Sequence, residues 1–263
     1  MTYNIRLNKN KSIGKVVYIV EGDRKEHSLL RHIFERILDY TVVDVKRKQS
    51  SYLKYMSKVN PDSCIFVVSS EKSNVKSAGE EGKAYLDSVF SELYKEYSLD
   101  ISNSAVYYIF DRDNQSNSLA EIENLVKTLK NSRDNGIENN GLLLLSYPSI
   151  EAYVKMCIDD IQFQTIDTPK SLKVITSDAK YQYDRIDSDA LLKACNNMLV
   201  GINRICDRYL IEADLDDFFE INYKILAEEN RTYAEHREYI LLSLLSISFL
   251  DLGILNIQFV EGL

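Results

Sequence analysis

The sequence predicts an α/β fold, in which a Rossmann-like parallel sheet is flanked by helices and followed by a helical C-terminal region. Over roughly the first 155 residues, apolar runs of strand length alternate with amphipathic helical patterns. From about residue 150 onward, helical patterns replace this alternation. We therefore expect an α/β domain at residues 1–160 and a mainly helical region at residues 161–263.

Five short apolar runs predict the strands of the sheet. Each contains mostly Val, Ile, Leu, Tyr or Phe, which is typical of strands that are buried on both faces of a parallel sheet. The runs lie at residues 15–20, 40–46, 64–68, 105–110 and 142–145. Turn-forming Asn, Gly, Ser and Asp residues at 131–141 precede the last strand.

Helical periodicity predicts the elements between these strands. Apolar side chains recur at helical spacing over residues 24–38, where they form one stripe: Leu29, Leu30, Ile33, Phe34, Ile37 and Leu38. A second helix over 81–97 carries its own stripe: Tyr85, Val89, Leu93 and Tyr97. We also expect helices near 50–58 and 118–131, and a loop over the polar residues 70–80.

The C-terminal part is predicted to be helical. Helices are expected at residues 150–158, 188–209, 212–229 and 231–252. The helical pattern between 160 and 185 is interrupted by Thr168-Pro169 and by polar residues, so the boundary between the two predicted regions is not sharply defined there. The apolar stretch from Tyr239 to Leu250 is too short to span a bilayer, and we expect a buried helix and no membrane association.

Charge is distributed unevenly along the chain. The formal net charge is −8, yet residues 1–60 hold 13 basic against 6 acidic residues. Residues 205–263 hold 4 basic against 12 acidic residues. Because polyanion binding depends on the local field, the basic N-terminal segment remains compatible with nucleic-acid binding. The acidic C-terminal residues are expected to face solvent or a basic partner.

Cysteine usage and the N-terminus favour a cytoplasmic protein. The four cysteines, at 64, 157, 195 and 206, show no C-x-x-C spacing. We expect them to be small buried residues in a reducing compartment and not a zinc site or a disulfide framework. The first residues show no signal-peptide pattern.

Acidic residues follow two of the predicted strands directly. Glu21-Gly22 comes after the strand at 15–20, and Asp111-Arg112-Asp113 comes after the strand at 105–110. Since the carboxyl ends of parallel strands form sites, three carboxylates are expected in one crevice, with Arg112 pointing away. Close carboxylates repel one another unless a cation neutralises them, and oxygen ligands suit Mg²⁺ or Mn²⁺. This arrangement predicts a metal-dependent phosphodiester-cleaving site.

The order of these motifs resembles the TOPRIM fold of topoisomerases, primases and several nucleases. Residues 21–26, Glu-Gly-Asp-Arg-Lys-Glu, resemble the E-G-x-x-x-E opening of RloB-like TOPRIM proteins of bacterial defence loci. Residues 146–153, Ser-Tyr-Pro-Ser-Ile-Glu-Ala-Tyr, are similar to the Ser-Asn-Pro-x-Phe-Glu-x-Trp segment of those proteins. The resemblance covers residues 15–155 and extends to the AriB-like and OLD-like TOPRIM nucleases.

The resemblance implies a role for each acidic residue. Glu21 would be a metal ligand or the general base, and Asp111 and Asp113 would hold Mg²⁺ or Mn²⁺. Glu26 would be catalytic from the first helix, and Glu151 would complete a second metal site; whether one or two metals bind is left open. Glu26 and Glu151 are equally compatible with being early-helix acids that the helix dipole favours.

The chain departs from the family pattern at several positions. Glu21 and Asp111 are 90 positions apart, and the strand at 64–68 resembles an insertion. Asn114 replaces a third Asp, and Tyr147 replaces the usual Asn. The metal motif survives these changes, whereas the substrate-contacting surface is expected to differ.

Basic residues near the first strand and helix are candidates for binding nucleic acid. Arg24 and Lys25 lie beside Glu21, and Lys46, Arg47 and Lys48 form a basic run. A run of this kind is equally compatible with a solvated surface. Further candidates for phosphate contacts lie downstream: Lys54, Lys58, Lys72 and Lys76.

The resemblance implies a Mg²⁺-dependent nuclease that acts as a toxic effector of an anti-phage, abortive-infection system. RNA such as tRNA is the favoured substrate, and DNA is the alternative. The sequence has no G-x-x-x-x-G-K-[ST] motif, so activation is expected to depend on a partner ATPase or sensor protein. This function is also compatible with a homodimer.

Two other functions are alternatives to a nuclease. One is a non-catalytic TOPRIM-fold subunit that binds or assembles other proteins of a defence complex. The other is a receiver-type phosphoacceptor with Mg²⁺ around a phosphorylatable Asp. The receiver hypothesis accounts neither for Glu21-Gly22 nor for the segment at 146–151.

Overall fold

The computed structural model describes most of the chain. It covers residues 3–21, 24–46, 51–69, 91, 94–95, 103–112, 118–133, 141–161, 164–211, 214–215 and 218–258, with backbone alone at 44–46 and 51–52. The chain forms two compact units. The sheet unit comprises residues 10–110 and 115–144, and the C-terminal unit comprises residues 1–9, 111–114 and 145–263. The predicted division at residue 160 stays a prediction.

The sheet unit contains a mixed sheet whose centre is parallel. Strand β2 (Lys15–Val20) pairs in parallel with β5 (Cys64–Ser69) on one side and with β6 (Ser104–Asp111) on the other. Residues 16–20 are all buried, as expected for a strand covered on both faces. The sheet continues from β6 to β8 (Gly141–Tyr147), and a short β7 (Lys130–Asn131) pairs with β8. The α/β class is therefore confirmed.

The other edge of the sheet is antiparallel. Strand β3 (Tyr40–Lys46) pairs with β4 (Ser51–Ser57), and β4 pairs with β5. The predicted helix at 50–58 is wrong, because this segment is strand β4. The ring of Tyr55, a residue of β4, is fully buried and lies edge-on to Phe34, with 5.2 Å between the ring centroids. Strand β4 pairs with β3 and β5 and buries Tyr55, and these interactions outweigh a weak local preference for helix.

Two helices of the sheet unit are described. Helix α1 (Lys25–His32) continues into a π-helical turn (Ile33–Ile37), within the predicted range of 24–38. Helix α2 (Leu119–Thr128) starts with a capping box between Ser118 and Glu121 and ends earlier than predicted. The expected loop at 70–80 lies outside the described residues, as does nearly all of the expected helix at 81–97.

The C-terminal unit combines five helices with short strand pairs in the part of the chain that is described. The helices are α3 (Glu151–Ile158), α4 (Pro169–Ile175), α5 (Ser188–Tyr209), α6 (Phe218–His236) and α7 (Leu245–Asp251). Strands β9 (Thr165–Ile166) and β10 (Tyr239–Ile240) pair, as do β1 (Asn4–Leu7) and β12 (Leu255–Gln258). Strand β11 (Leu242–Ser243) pairs with Ser146 and Tyr147 at the end of β8.

Two predicted helices of this region need correction. Helices were expected at 212–229 and 231–252. The structure instead has α6, which runs through the expected boundary between them, followed by two short strands and α7. Helix α6 ends at His236, and the next residue, Arg237, has a left-handed φ of 57°. That conformation stops the helix, and Tyr239 to Ser243 then pair as strands. Apolar periodicity alone does not distinguish these buried strands from a buried helix.

The core of the C-terminal unit surrounds helix α5. Asp187 caps its first turn by accepting a hydrogen bond from the N–H of Ala190 at 2.9 Å. Its apolar face packs against α3 and α6, and this face includes Cys195, whose pKa burial raises to about 12. All four cysteines are free thiols. Among the described helices, none is both long and apolar enough to cross a membrane.

Candidate acidic site

Within the sheet unit, two of the predicted acidic residues flank the connection between β2 and α1. Strands β2 and β6 are in register from Lys15 opposite Ser104 to Val20 opposite Ile109. The N–H of Glu21 extends this pairing by donating to the carbonyl of Ile109 at 3.3 Å. Glu21 is half-buried at the carboxyl end of β2, which is the position that the sequence predicted for it.

Glu26 lies in the first turn of α1 and is buried. Its exposed fraction is 8%, although it follows two exposed residues, Arg24 and Lys25. A carboxylate in the first turn is favoured by the helix dipole, and a buried carboxylate also requires polar contacts. The burial of Glu26 distinguishes it from an ordinary acid on a helix surface.

Within the C-terminal unit, Asp111 and Ile150 are joined by a hydrogen bond. Asp111, half-buried as the last residue of β6, accepts the N–H of Ile150 at its Oδ1 with a distance of 2.8 Å. Ile150 is the N-cap residue of α3, and its own side chain cannot cap the helix. The carboxylate of Asp111 therefore supplies the acceptor that the start of α3 needs.

Glu151 is the first residue of α3 and follows Ile150 directly. Its exposed fraction is 5%. The last residue of β6, Asp111, is thus hydrogen-bonded to the residue that precedes Glu151. Of the predicted site residues, Asp111 and Glu151 belong to the C-terminal unit and are connected through the hydrogen bond at Ile150, while Asp113 lies outside the described residues.

Arg112 enters the interior of the C-terminal unit. It is 1% exposed, and its N–H donates to the carbonyl of Ser146 at 2.8 Å. Its Nη2 donates to Oδ1 of Asn230 at 3.1 Å, and its Nε lies 3.6 Å from Oε2 of Glu229, which is fully buried. Alternation along the extended chain directs Asp111 toward α3 and Arg112 toward α6.

Tyr147 and Ser149 are buried polar residues of the segment before α3. Among the described residues, neither the Tyr147 hydroxyl nor the Ser149 hydroxyl has a hydrogen-bond partner. Burial raises the pKa of Tyr147, the charge of Glu229 raises it further, and Arg112 opposes both effects. Tyr147 therefore stays neutral close to the Arg112–Glu229 pair.

Helix α6 carries a second buried carboxylate, which sequence reasoning did not find. Glu228 is fully buried; it pairs with Arg208 of α5 and accepts from Arg231 on its own helix at 2.9 Å. The acidic C-terminal residues were expected to face solvent or a basic partner protein, whereas Glu228 and Glu229 are fully buried and pair with arginines of this chain. The spacing of Glu228, Arg231 and Glu235 could have indicated pairs along the helix, but nothing in it indicates Arg112 or Arg208.

The donor chemistry of the acidic residues fits a hard divalent cation. Asp111, Glu151, Glu21 and Glu26 offer carboxylate oxygens, which are the ligands that Mg²⁺ and Mn²⁺ prefer. Within the residues that the structure describes, however, no group of three or more His, Cys, Asp or Glu side chains is arranged to hold a metal. The predicted third acid of the cluster, Asp113, is outside that range.

The predicted nucleic-acid-binding residues are described only in part. Arg24 and Lys25 are exposed at the start of α1. Lys46 ends β3 and is described by its backbone alone, while Arg47, Lys48, Lys72 and Lys76 are outside the described residues. Lys58 is exposed, and the ammonium of Lys54 lies over the ring of Phe66, 5.6 Å from its centroid.

In comparisons with known proteins, no protein-family model, no curated protein and no solved structure matches this chain. What the structure establishes is the mixed α/β class with a parallel sheet centre. A functional proposal for the chain consequently depends on its own acidic residues and their contacts.

Proposed function

We propose that the chain is a Mg²⁺- or Mn²⁺-dependent nuclease of the TOPRIM type that hydrolyses phosphodiester bonds. One observation carries the proposal. Asp111, at the end of a sheet strand, is held by a hydrogen bond at the start of the helix that begins with Glu151. Glu151 follows Ile150 directly, and a cation bound between carboxylates from these two positions would offset the repulsion between their charges.

Each acidic residue has a proposed role. Asp111, Asp113 and Glu151 would hold the cation, which when bound polarises a phosphoryl oxygen and activates a water for attack. From the resemblance, Glu21 would be a metal ligand or the general base, and Glu26 would be a further catalytic residue.

The substrate and partners are proposed from charge and from the resemblance to TOPRIM defence nucleases. Arg24 and Lys25, with Lys46, Arg47 and Lys48, would attract the phosphate backbone. RNA such as tRNA is the favoured substrate, and DNA is the alternative. We further propose a cytoplasmic effector of anti-phage defence that is activated by a partner ATPase and acts as a monomer or homodimer.

The test uses two charge-removing variants and one control. Asp111→Asn keeps an oxygen that can accept from Ile150, and Glu21→Gln keeps the shape of that side chain. The control, Asp184→Asn, changes an exposed acid of the C-terminal unit. We expect the wild type and the control to cleave RNA with Mg²⁺ or Mn²⁺ and to lose this activity in EDTA, while both site variants are inactive. Metal-independent cleavage, or full activity of both site variants, would overturn the proposal.

Expression in bacteria tests the same proposal inside cells. Wild type and the double variant Glu21→Gln/Asp111→Asn would be induced with and without the neighbouring genes, and total RNA and genomic DNA compared. Discrete tRNA fragments from the wild type alone would support a ribonuclease effector. Degraded DNA would assign it to the OLD-like nucleases, and identical nucleic acids in every sample would contradict the nuclease proposal.

A second candidate function is a non-catalytic subunit of a defence complex. The observation that favours it is again at Asp111, since a carboxylate that caps a helix has a structural role without any metal. Direct measurement of Mn²⁺ binding by electron paramagnetic resonance separates the two candidates. Binding that Asp111→Asn abolishes supports the nuclease, and no binding at millimolar Mn²⁺ supports the non-catalytic subunit.

A further inference from the structure

The residue that follows Asp111 takes part in a fully buried ionic cluster. Arg112 is 1% exposed and Glu229 is fully buried, and Asn230 accepts a hydrogen bond from the same guanidinium. Removing both charges from water is unfavourable, and replacing a buried pair of this kind by apolar residues often leaves a protein as stable or more stable. Stability is therefore a weak reason for this cluster to exist.

The position of the cluster suggests a different reason. The backbone at 111–112 is held at three points within the C-terminal unit. The carboxylate of Asp111 accepts from Ile150 at the start of α3, the N–H of Arg112 donates to Ser146 of β8, and the guanidinium of Arg112 reaches α6. Removing the α6 contact would take away the support that Glu229 and Asn230 give to this stretch of backbone through Arg112.

Helix α6, which contacts Arg112, is itself joined to the neighbouring helix α5. The residue before Glu229 is Glu228, which joins α6 to Arg208 of α5. Helix α5 in turn contacts α3, the helix that begins with Glu151. The two consecutive glutamates of α6 thus connect the end of β6 with the helices that form the core of the C-terminal unit.

We propose that Glu229 is a positioning residue of the acidic site: it holds Arg112, and Arg112 fixes the Asp111 carboxylate in the orientation that binds the cation. The inference rests on the proposed function for the cation, while the fixing of Asp111 is independent of it. Groups that orient a metal ligand typically change metal affinity by about 10–100-fold when they are removed. Glu229 acts through Arg112 and does not itself contact the cation.

The experiment compares three variants. Glu229→Gln removes one charge of the pair, and Arg112→Met/Glu229→Leu replaces the whole pair by apolar side chains, so that no charge is left buried alone. The control, Glu220→Gln, changes an exposed acid on the same helix, where Glu220 pairs with Lys224. Melting temperature, Mn²⁺ affinity by electron paramagnetic resonance and hydrogen exchange of the Ile150 amide would be measured for each.

We expect the double variant to melt at or above the wild-type temperature and yet to bind Mn²⁺ at least 10-fold more weakly. The Ile150 amide should exchange at least 10-fold faster in this variant, because its acceptor on Asp111 is no longer fixed. The control should match the wild type in all three measurements. A purely structural role would lower the melting temperature while leaving the affinity of the folded protein unchanged.

The experiment distinguishes failure of the proposed function from failure of the positioning role of Glu229. If the wild type binds no Mn²⁺, the proposed function fails, and the exchange of the Ile150 amide still decides whether Glu229 fixes Asp111. If the wild type binds Mn²⁺ but the stable double variant binds it equally well, the positioning role is overturned and the proposed function stands. Unchanged exchange at Ile150 in the double variant would overturn the positioning role by itself.

Discussion

Asp111 accepts a hydrogen bond from the backbone N–H of Ile150, so the last residue of β6 stabilises the first turn of α3. The acceptor comes from a residue 39 positions earlier in the chain. An N-cap is usually supplied by the residue that precedes the helix, and Ile150 has no side chain that could do this. A residue proposed to bind a cation thus also stabilises a helix, and the two roles can be separated by mutation.

The first prediction separates capping from charge at Asp111. Repulsion between clustered carboxylates alone predicts that Asp111→Ala leaves the fold intact or slightly more stable. The hydrogen bond to Ile150 reverses this expectation, and we now expect Asp111→Ala to lower the free energy of unfolding by about 1 kcal/mol.

Asp111→Asn keeps an acceptor oxygen and should lose less stability than Asp111→Ala. Urea unfolding of the three proteins, in the absence of divalent metal, measures the difference. An alanine variant that is as stable as the wild type would show that the cap contributes nothing.

The second prediction concerns the Arg112–Glu229 pair. Glu229→Ala leaves the guanidinium of Arg112 buried without its carboxylate, and we expect it to lower the free energy of unfolding by about 3–5 kcal/mol. The double variant Arg112→Met/Glu229→Leu should recover the whole of that loss, because neither charge is then buried. Chemical denaturation of both variants gives the comparison, and a double variant less stable than Glu229→Ala would contradict this account.

The third prediction concerns metal binding and its removal. A cation that binds only the folded protein stabilises it by about 2.7 kcal/mol when its concentration is 100 times its dissociation constant. We therefore expect Mn²⁺ to raise the melting temperature of the wild type and EDTA to reverse the rise. Asp111→Asn and Glu151→Gln should show no such rise, whereas Asp184→Asn should behave as the wild type does. An equal rise in all four proteins would indicate metal binding elsewhere.

The fourth prediction concerns acid stability and Asp159, which follows α3. Partial burial would raise the pKa of Asp159, but hydrogen bonds from Lys155, Tyr181 and Lys180 together outweigh it and lower this pKa to about 2. Tyr181 donates at 2.6 Å and Lys180 at 3.2 Å. A lowered pKa means that the charged form stabilises the fold above about pH 4 and that this contribution is lost as the pH falls toward 2.

Asp159→Asn tests this effect. The wild type should lose more stability than the variant between pH 5 and pH 2, since the variant has no carboxylate to protonate there. Thermal unfolding followed across this range gives the slopes, with Asp184→Asn as the control. Parallel slopes for wild type and Asp159→Asn would show that the three hydrogen bonds contribute no pH dependence.

Local patterns predicted the centre of the sheet well. The strands at 15–20, 64–68, 105–110 and 142–145 were found because a continuous apolar run is typical of a strand covered on both faces. Patterns failed where tertiary pairing decides the conformation. Residues 50–58 and the strands within 231–252 acquire their conformation from neighbouring strands, and no local signal reports that.

The acidic residues were predictable in sequence but their contacts were not. Glu21 and Asp111 could be placed at strand ends because the strands themselves were evident. The contact between Arg112 and Asn230 joins residues 118 positions apart, and no periodicity along the chain spans that distance. Glu229 was consequently expected at a surface, since an acidic segment is ordinarily solvated.

The pairing of β1 with β12 has a consequence for how the protein is made. Asn4 lies opposite Gln258, so a strand synthesised first waits for a partner that leaves the ribosome more than 250 residues later. Contacts between residues this far apart in sequence slow folding. Until that partner emerges, β1 is an unpaired strand edge that can associate with other nascent chains, so its folding inside the cell should depend on chaperones that bind during translation.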